Sequence, residues 1–149
     1  LSENQTELVE ELYLFFERYD EEIEKAEPLF DLKGRRLEEM IRSLPYHQSH
    51  YDQLGREAQG IAKTLTLRRD KIEARLTRNY LQGQRTYGSR ETAILIAGEP
   101  EMNAMNQLIT EVELYEDKLK AIVEAFKQMG WMLGNVTKLR VAELHDVII

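Results

Sequence analysis

The stretch LITEVELYEDKLKAIVEAFKQMGWMLGNV (108–136) decides the fold. Its apolar residues Leu108, Val112, Tyr115, Leu119, Ile122, Phe126, Met129, Leu133 and Val136 fall at alternating steps of four and three. An α-helix turns once per 3.6 residues, so such steps set one apolar row along one helix face. A row sustained over several heptads marks a helix that pairs with others. Val112, Tyr115, Leu119, Ile122, Phe126, Met129 and Leu133, with Trp131 beside them, are therefore the candidate oligomerisation residues. Gly130 and Gly134 each cost about 1 kcal/mol of helix propensity relative to alanine. In return they permit a kink or a close helix contact.

Working outward, Gly98-Glu99-Pro100 reads as the start of this helix, with Pro100 in its first turn. The tail KLRVAELHDVII (138–149) continues apolar. Apolar surface of that extent is costly in water. The tail is expected to be buried against another subunit or a partner protein. Thr92–Ala97 (TAILIA) reads as a short helix or a packed extended segment. GQRTYGSR (83–90) reads as a loop bracketed by Gly83 and Gly88. It fails as a P-loop, because Ser-Arg follows where Lys-Ser/Thr is required.

Upstream, Leu54, Ala58, Ile61, Leu65, Ile72 and Leu76 predict a long helix over 46–81. Pro28 is expected to open a separate helix, and Pro45 to stop it, since proline lacks an N–H and restricts its predecessor. Leu8, Leu12, Phe15, Phe16, Tyr19 and Ile23 predict an amphipathic helix over 3–26, with an acidic opposite face. The fold class is all-α: a bundle of long helices with coiled-coil-like pairing, assembling into a homo-oligomeric ring. The chain reads as one helical domain, 1–149. Within it lie acidic N-terminal helices (1–45), a basic long helix and loop (46–90), and heptad-patterned helices (91–149).

Charge is the second informative feature. The chain carries 20 basic and 27 acidic side chains, net −7. Residues 56–90 nevertheless hold 9 basic against 3 acidic. A basic island in an acidic chain points to a polyanion. Arg68, Lys71, Arg75 and Arg78 fall within about 80° of one another on a helical wheel. They form a row beside the apolar stripe. With Arg69, Arg85, Tyr87 and Arg90 they are the candidate DNA-binding residues. Cations attract phosphates whatever the sequence. Tyr80 and Tyr87 can stack on unpaired bases, a contact worth about 1–3 kcal/mol per base. One such row binds weakly, and an oligomer multiplies it through avidity. The competing reading is that the row only pairs with acidic helix faces.

No reaction centre emerges. There is no Cys, and therefore no disulfide and no thiolate metal site. His47 and His50 lie three apart without a nearby third ligand, which is weak evidence for metal. The carboxylates are explained by solvated helix faces, and no nucleophile motif appears. The chain reads as non-enzymatic, with no cofactor and no metal. No leader or membrane-spanning run is visible, and a cytoplasmic setting is expected.

The order of features resembles the UvsY-type recombination mediators of T4-like phages. LPYHQSHYDQL (44–54), NYLQGQ (79–84), SRETAILIAGEPE (89–101) and MGWMLGNVTKLR (129–140) carry the likeness, which covers residues 29–146. Pro45, His47 and Tyr51 correspond in type to family residues at the start of the long helix. Tyr80 with Gly83, Gly98-Glu99, and Gly130, Trp131, Val136 and Lys138 correspond further on. The resemblance implies a homo-oligomeric ring, hexameric or heptameric, that binds single-stranded DNA. It further implies loading of a RecA-like phage recombinase onto DNA coated by single-strand-binding protein, in the host cytoplasm. Ala74-Arg75-Leu76 matches the family's DNA-contacting segment, which assigns Arg75 that role. Glu73 stands where the family commonly has Lys. The alternative is a helical structural or adaptor protein, such as a phage assembly factor, without nucleic-acid binding.

Overall fold

The computed structural model describes residues 3–83 and 86–148. Four α-helices and one 3-10 turn make up the described chain, with no strand among the described residues. They are α1 (Glu3–Ala26), the turn (Glu27–Phe30), α2 (Leu37–Leu81), α3 (Ser89–Ala97) and α4 (Pro100–Ile148). The all-helical expectation holds. Among the described residues no helix is long and apolar enough to cross a membrane. The chain divides into two compact units, one of residues 1–55 with 117–149 and one of residues 56–116.

In the first unit, α1 buries Leu12, Phe16, Tyr19 and Ala26 and leaves Glu7, Glu10, Glu11, Glu17, Asp20, Glu21 and Glu24 in solvent. That is the acidic face expected from the sequence. Glu22 differs, because it falls three residues after Tyr19 and four before Ala26, on the buried side. Its backbone carbonyl accepts a 2.6 Å hydrogen bond from the Tyr51 hydroxyl, and its carboxylate lies 2.9 Å from His50 Nε2. Burial, and then the nearby Glu22 carboxylate, push the Tyr51 hydroxyl up to about 12, so it keeps its proton as a donor. His50 is thus engaged by a carboxylate of α1. His47 stacks on Phe126 at 5.7 Å. Burial, with His50 and Arg35 nearby, lowers the His47 pKa.

Phe126 is the centre of this unit. It is fully buried on α4, with Phe30 at 4.5 Å and Tyr51 at 5.6 Å between ring centroids. The same unit also buries Met40, Leu54, Leu119, Val123, Met129 and Leu133. Leu44 lies against Gly130 and Gly55 against Leu119, so α2 and α4 run antiparallel here. A methyl group on Gly130 would meet Leu44 Cδ2 at 2.8 Å. Of the two possibilities raised for this glycine, a kink or a close contact, the second is realised. Gly134 has open space around it.

Two proline expectations are corrected. Pro28 opens only the 3-10 turn, and the chain then leaves helical geometry until Leu37. Gly34 causes the break: its φ of 73° is the left-handed region that glycine enters without a steric penalty. Arg35 ties the turn down by donating to the Pro28 carbonyl at 2.9 Å. Pro45 does not stop a helix but lies inside α2, whose single run joins the two segments expected from the sequence. Pro45 and Ile41, whose carbonyl loses its helical donor, are both exposed, so water reaches the gap.

The two glycines give opposite expectations. Gly34→Ala should cost about 1–2 kcal/mol, the left-handed penalty for a Cβ. Gly134→Ala should gain up to about 1 kcal/mol, since the helix is kept and nothing obstructs a methyl. Urea midpoints of both variants check this, and equal signs would refute it.

In the second unit, α2 buries Ala58, Ala62, Leu65 and Ile72, and α4 buries Met102, Met105, Ile109 and Val112. Arg69 meets Asn106 while Arg75 meets Glu101, so these helix segments are antiparallel. The α3 helix adds Thr92 and Ile96. TAILIA is therefore helical rather than extended. The Thr92 hydroxyl is buried and donates to the Gly88 carbonyl at 2.9 Å.

Candidate nucleic-acid interface

The basic row lies wholly within the second unit. The apolar side of α2 is fixed by Ala58, Leu65 and Ile72. Residues about 100° of helical rotation away are left in solvent. Arg68, Lys71, Arg75 and Arg78 occupy that flank and are exposed. Among the described residues, no ion pair holds Arg68, Lys71 or Arg78. Arg75 is half-exposed and ion-paired with Glu101 of α4.

Arg69 behaves differently from the others. It falls on the packed side of the helix and is only partly exposed. Its Nη1 donates to Asn106 Oδ1 at 3.2 Å, and its Nε lies 3.8 Å from Asp70. Its guanidinium is held against α4 rather than projected with the row.

Beyond the end of α2 the site changes character. Tyr80 and Tyr87 meet edge to face, with centroids 5.7 Å apart. The Tyr80 hydroxyl donates to the Glu99 carboxylate. That hydrogen bond is the main reason its pKa is raised. Arg90, in the first turn of α3, is exposed three residues after Tyr87. Arg85 lies outside the described residues. The row and the tyrosine pair thus belong to one unit, cations first and rings after. Such a surface can hold a phosphate backbone by charge and offer π-faces to bases.

Two carboxylates touch the site; the sequence reading names Glu99 only at the helix start and as a family correspondence, and gives neither Glu99 nor Glu101 a place beside the basic row. A signal was present. Where the helices pair antiparallel, the start of α4 must return beside the last turns of α2, and the residues that lead into α4 read GEPE (98–101).

The candidate oligomerisation residues divide in two. Val112, Leu119, Phe126, Met129 and Leu133 are buried within the single chain, and Tyr115 and Ile122 are partly buried. Trp131 is 75% exposed. Met132, Leu139, Val141 and Leu144 are exposed as well. The side chains of the last five residues lie outside the described ones. Among the described residues no group of three His, Asp or Glu is placed to hold a metal ion.

Comparison with known proteins finds no matching family, no matching curated relative and no solved structure of matching fold.

Proposed function

We infer that this chain is a non-enzymatic, oligomeric single-stranded-DNA-binding protein acting as a recombination mediator of the UvsY type. The observation that carries the reading is the exposed row Arg68, Lys71, Arg75 and Arg78, set beside the Tyr80–Tyr87 pair in a chain of net charge −7. The cations supply sequence-independent affinity for phosphates. The rings favour unpaired bases over a closed duplex. Exposed Trp131, Met132 and Leu139 supply apolar surface for self-association into a ring. The partners are single-stranded DNA, a RecA-like recombinase, single-strand-binding protein and further copies of the chain.

The test is the triple variant Lys71→Glu, Arg75→Glu and Arg78→Glu. Binding to a labelled oligothymidylate should disappear while helix content and solution mass are unchanged. For the wild-type protein, log affinity should fall linearly with log salt, by about 0.7 per phosphate contact. Absence of binding at low salt would remove the reading. A structural or adaptor role is the second reading, favoured by the in-chain partners of Arg69 and Arg75. It predicts that the triple variant changes nothing measurable in DNA binding because none existed.

A further inference from the structure

Two acidic side chains at the start of α4, Glu99 just before it and Glu101 in its first turn, reach into the basic site. They take up its two kinds of chemistry separately. Glu101 pairs with Arg75, the cation in the middle of the row, and Glu99 accepts the hydroxyl proton of Tyr80. A carboxylate on a guanidinium uses the same forked donor geometry as a phosphate. Arg75 is therefore already seated on an anion, whereas Arg68, Lys71 and Arg78 are exposed without an ion pair among the described residues. The pair is also solvent-accessible, since the Arg75 side chain is 50% exposed and that of Glu101 29%. An accessible pair of this kind is weak and screened by salt. A stronger anion can displace it.

We propose that Glu101 is an internal occupant of the Arg75 phosphate seat, so that polyanion binding to the row is an exchange of one anion for another. This rests on the reading of the row as a phosphate-binding surface. Three consequences follow from charge balance. The exchange lowers the affinity of each copy, which leaves a single chain a poor binder and makes repetition matter more. It also flattens the salt dependence, because a displaced carboxylate recruits a cation as the incoming phosphate sheds one. Finally, the exchange runs through Arg75, so removing the arginine should remove the effect of the carboxylate on phosphate binding.

The experiment is fluorescence anisotropy of a labelled oligothymidylate against the full chain over a series of salt concentrations. It compares wild type, Glu101→Gln, Glu101→Ala, Arg75→Gln and the double variant Arg75→Gln with Glu101→Gln. Glu73→Gln serves as the charge control, since it adds the same charge from the side of α2 away from the row. Both Glu101 variants should tighten binding about two- to fivefold per site, the range an exposed pair supports. The salt slope should steepen by about 0.7, one further phosphate contact. The gain should vanish in the Arg75→Gln background and be much smaller for Glu73→Gln. Circular dichroism confirms that the variants remain folded.

A gain that persists without Arg75, or is matched by Glu73→Gln, overturns the exchange and leaves only a bulk charge effect. Unchanged binding in both Glu101 variants also overturns it, with the DNA-binding reading intact. No binding by any variant removes both. Binding by the Glu101 variants at a salt concentration where wild type, which binds at low salt, no longer does supports the exchange in its strongest form.

Discussion

Replacing Phe126 by alanine should lower the unfolding free energy by about 3–5 kcal/mol, the cost of deleting a buried aromatic ring and leaving its cavity. The ring is wholly removed from solvent, and three aromatic or imidazole rings lie against it: Phe30, Tyr51 and His47. These come from the 3-10 turn and from α2, so the cavity opens at the meeting point of separate elements. Tyr51 is held by its bond to the Glu22 carbonyl and cannot swing freely into the gap. Partial collapse is therefore limited, and the loss should sit in the upper half of that range. Small domains carry only about 5–15 kcal/mol in total, so the variant should be close to its threshold. Phe126→Leu keeps most of the volume and should cost less than about 1.5 kcal/mol. Urea denaturation followed by far-ultraviolet circular dichroism reads both. If alanine cost no more than leucine, the ring would not be the centre of this unit.

That centre was partly legible in the sequence. The heptad row passes through Val112, Leu119, Phe126 and Leu133, and all four are buried. The row is too narrow, however. Ile109 and Val123 are buried as well, one residue off the counted positions, and so are Met102 and Met105, before the counted row begins. A strict heptad describes a helix with one partner, whereas a helix facing two or more neighbours buries a wider arc. In the first unit α1, α2 and α4 all contribute buried residues, Val123 among them. The acidic face of α1 was readable because seven carboxylates fall opposite its apolar side. Glu22 was not, because a carboxylate at an apolar position gains its meaning only from His50 and Tyr51, twenty-eight and twenty-nine residues away.

The basic row shows the same division. Its rotation relative to Leu65 and Ile72 follows from the helical period, yet the sequence reading groups Arg69 with the candidate DNA-binding residues, whereas its guanidinium meets Asn106. What opposes the row depends on helix register. Glu101 and Glu99 reach Arg75 and Tyr80 only because α4 returns antiparallel to α2 in this unit. Local periodicity carries no information about that pairing. The proposed function would make the row depend on repetition, for a physical reason. With Arg69 turned to Asn106 and Arg75 paired, few exposed cations remain per copy. On the proposed function, several copies on one strand would bind through effective concentration rather than through new contacts.

Replacing Pro45 by alanine should stabilise the chain by about 2 kcal/mol. A proline in a helix interior costs about 3 kcal/mol relative to alanine, because it lacks the N–H and its ring crowds the preceding turn. Two effects reduce that figure here. The carbonyl left without its donor belongs to exposed Ile41, so water can satisfy it. Proline also restricts the unfolded chain, and losing it returns about 0.4–1 kcal/mol of entropy to that state. For a domain of this size the net gain should appear as a rise in Tm of about 4–8 °C. The opposite outcome would be informative. Leu44, directly before the proline, is the residue that closes on Gly130, where even a methyl group would come within 2.8 Å. A lowered Tm for Pro45→Ala would mean that the helix needs its proline geometry to bring Leu44 that close. In that case Gly130→Ala, which demands more room at the same contact, should lose stability too and should not add its cost independently to that of the proline variant.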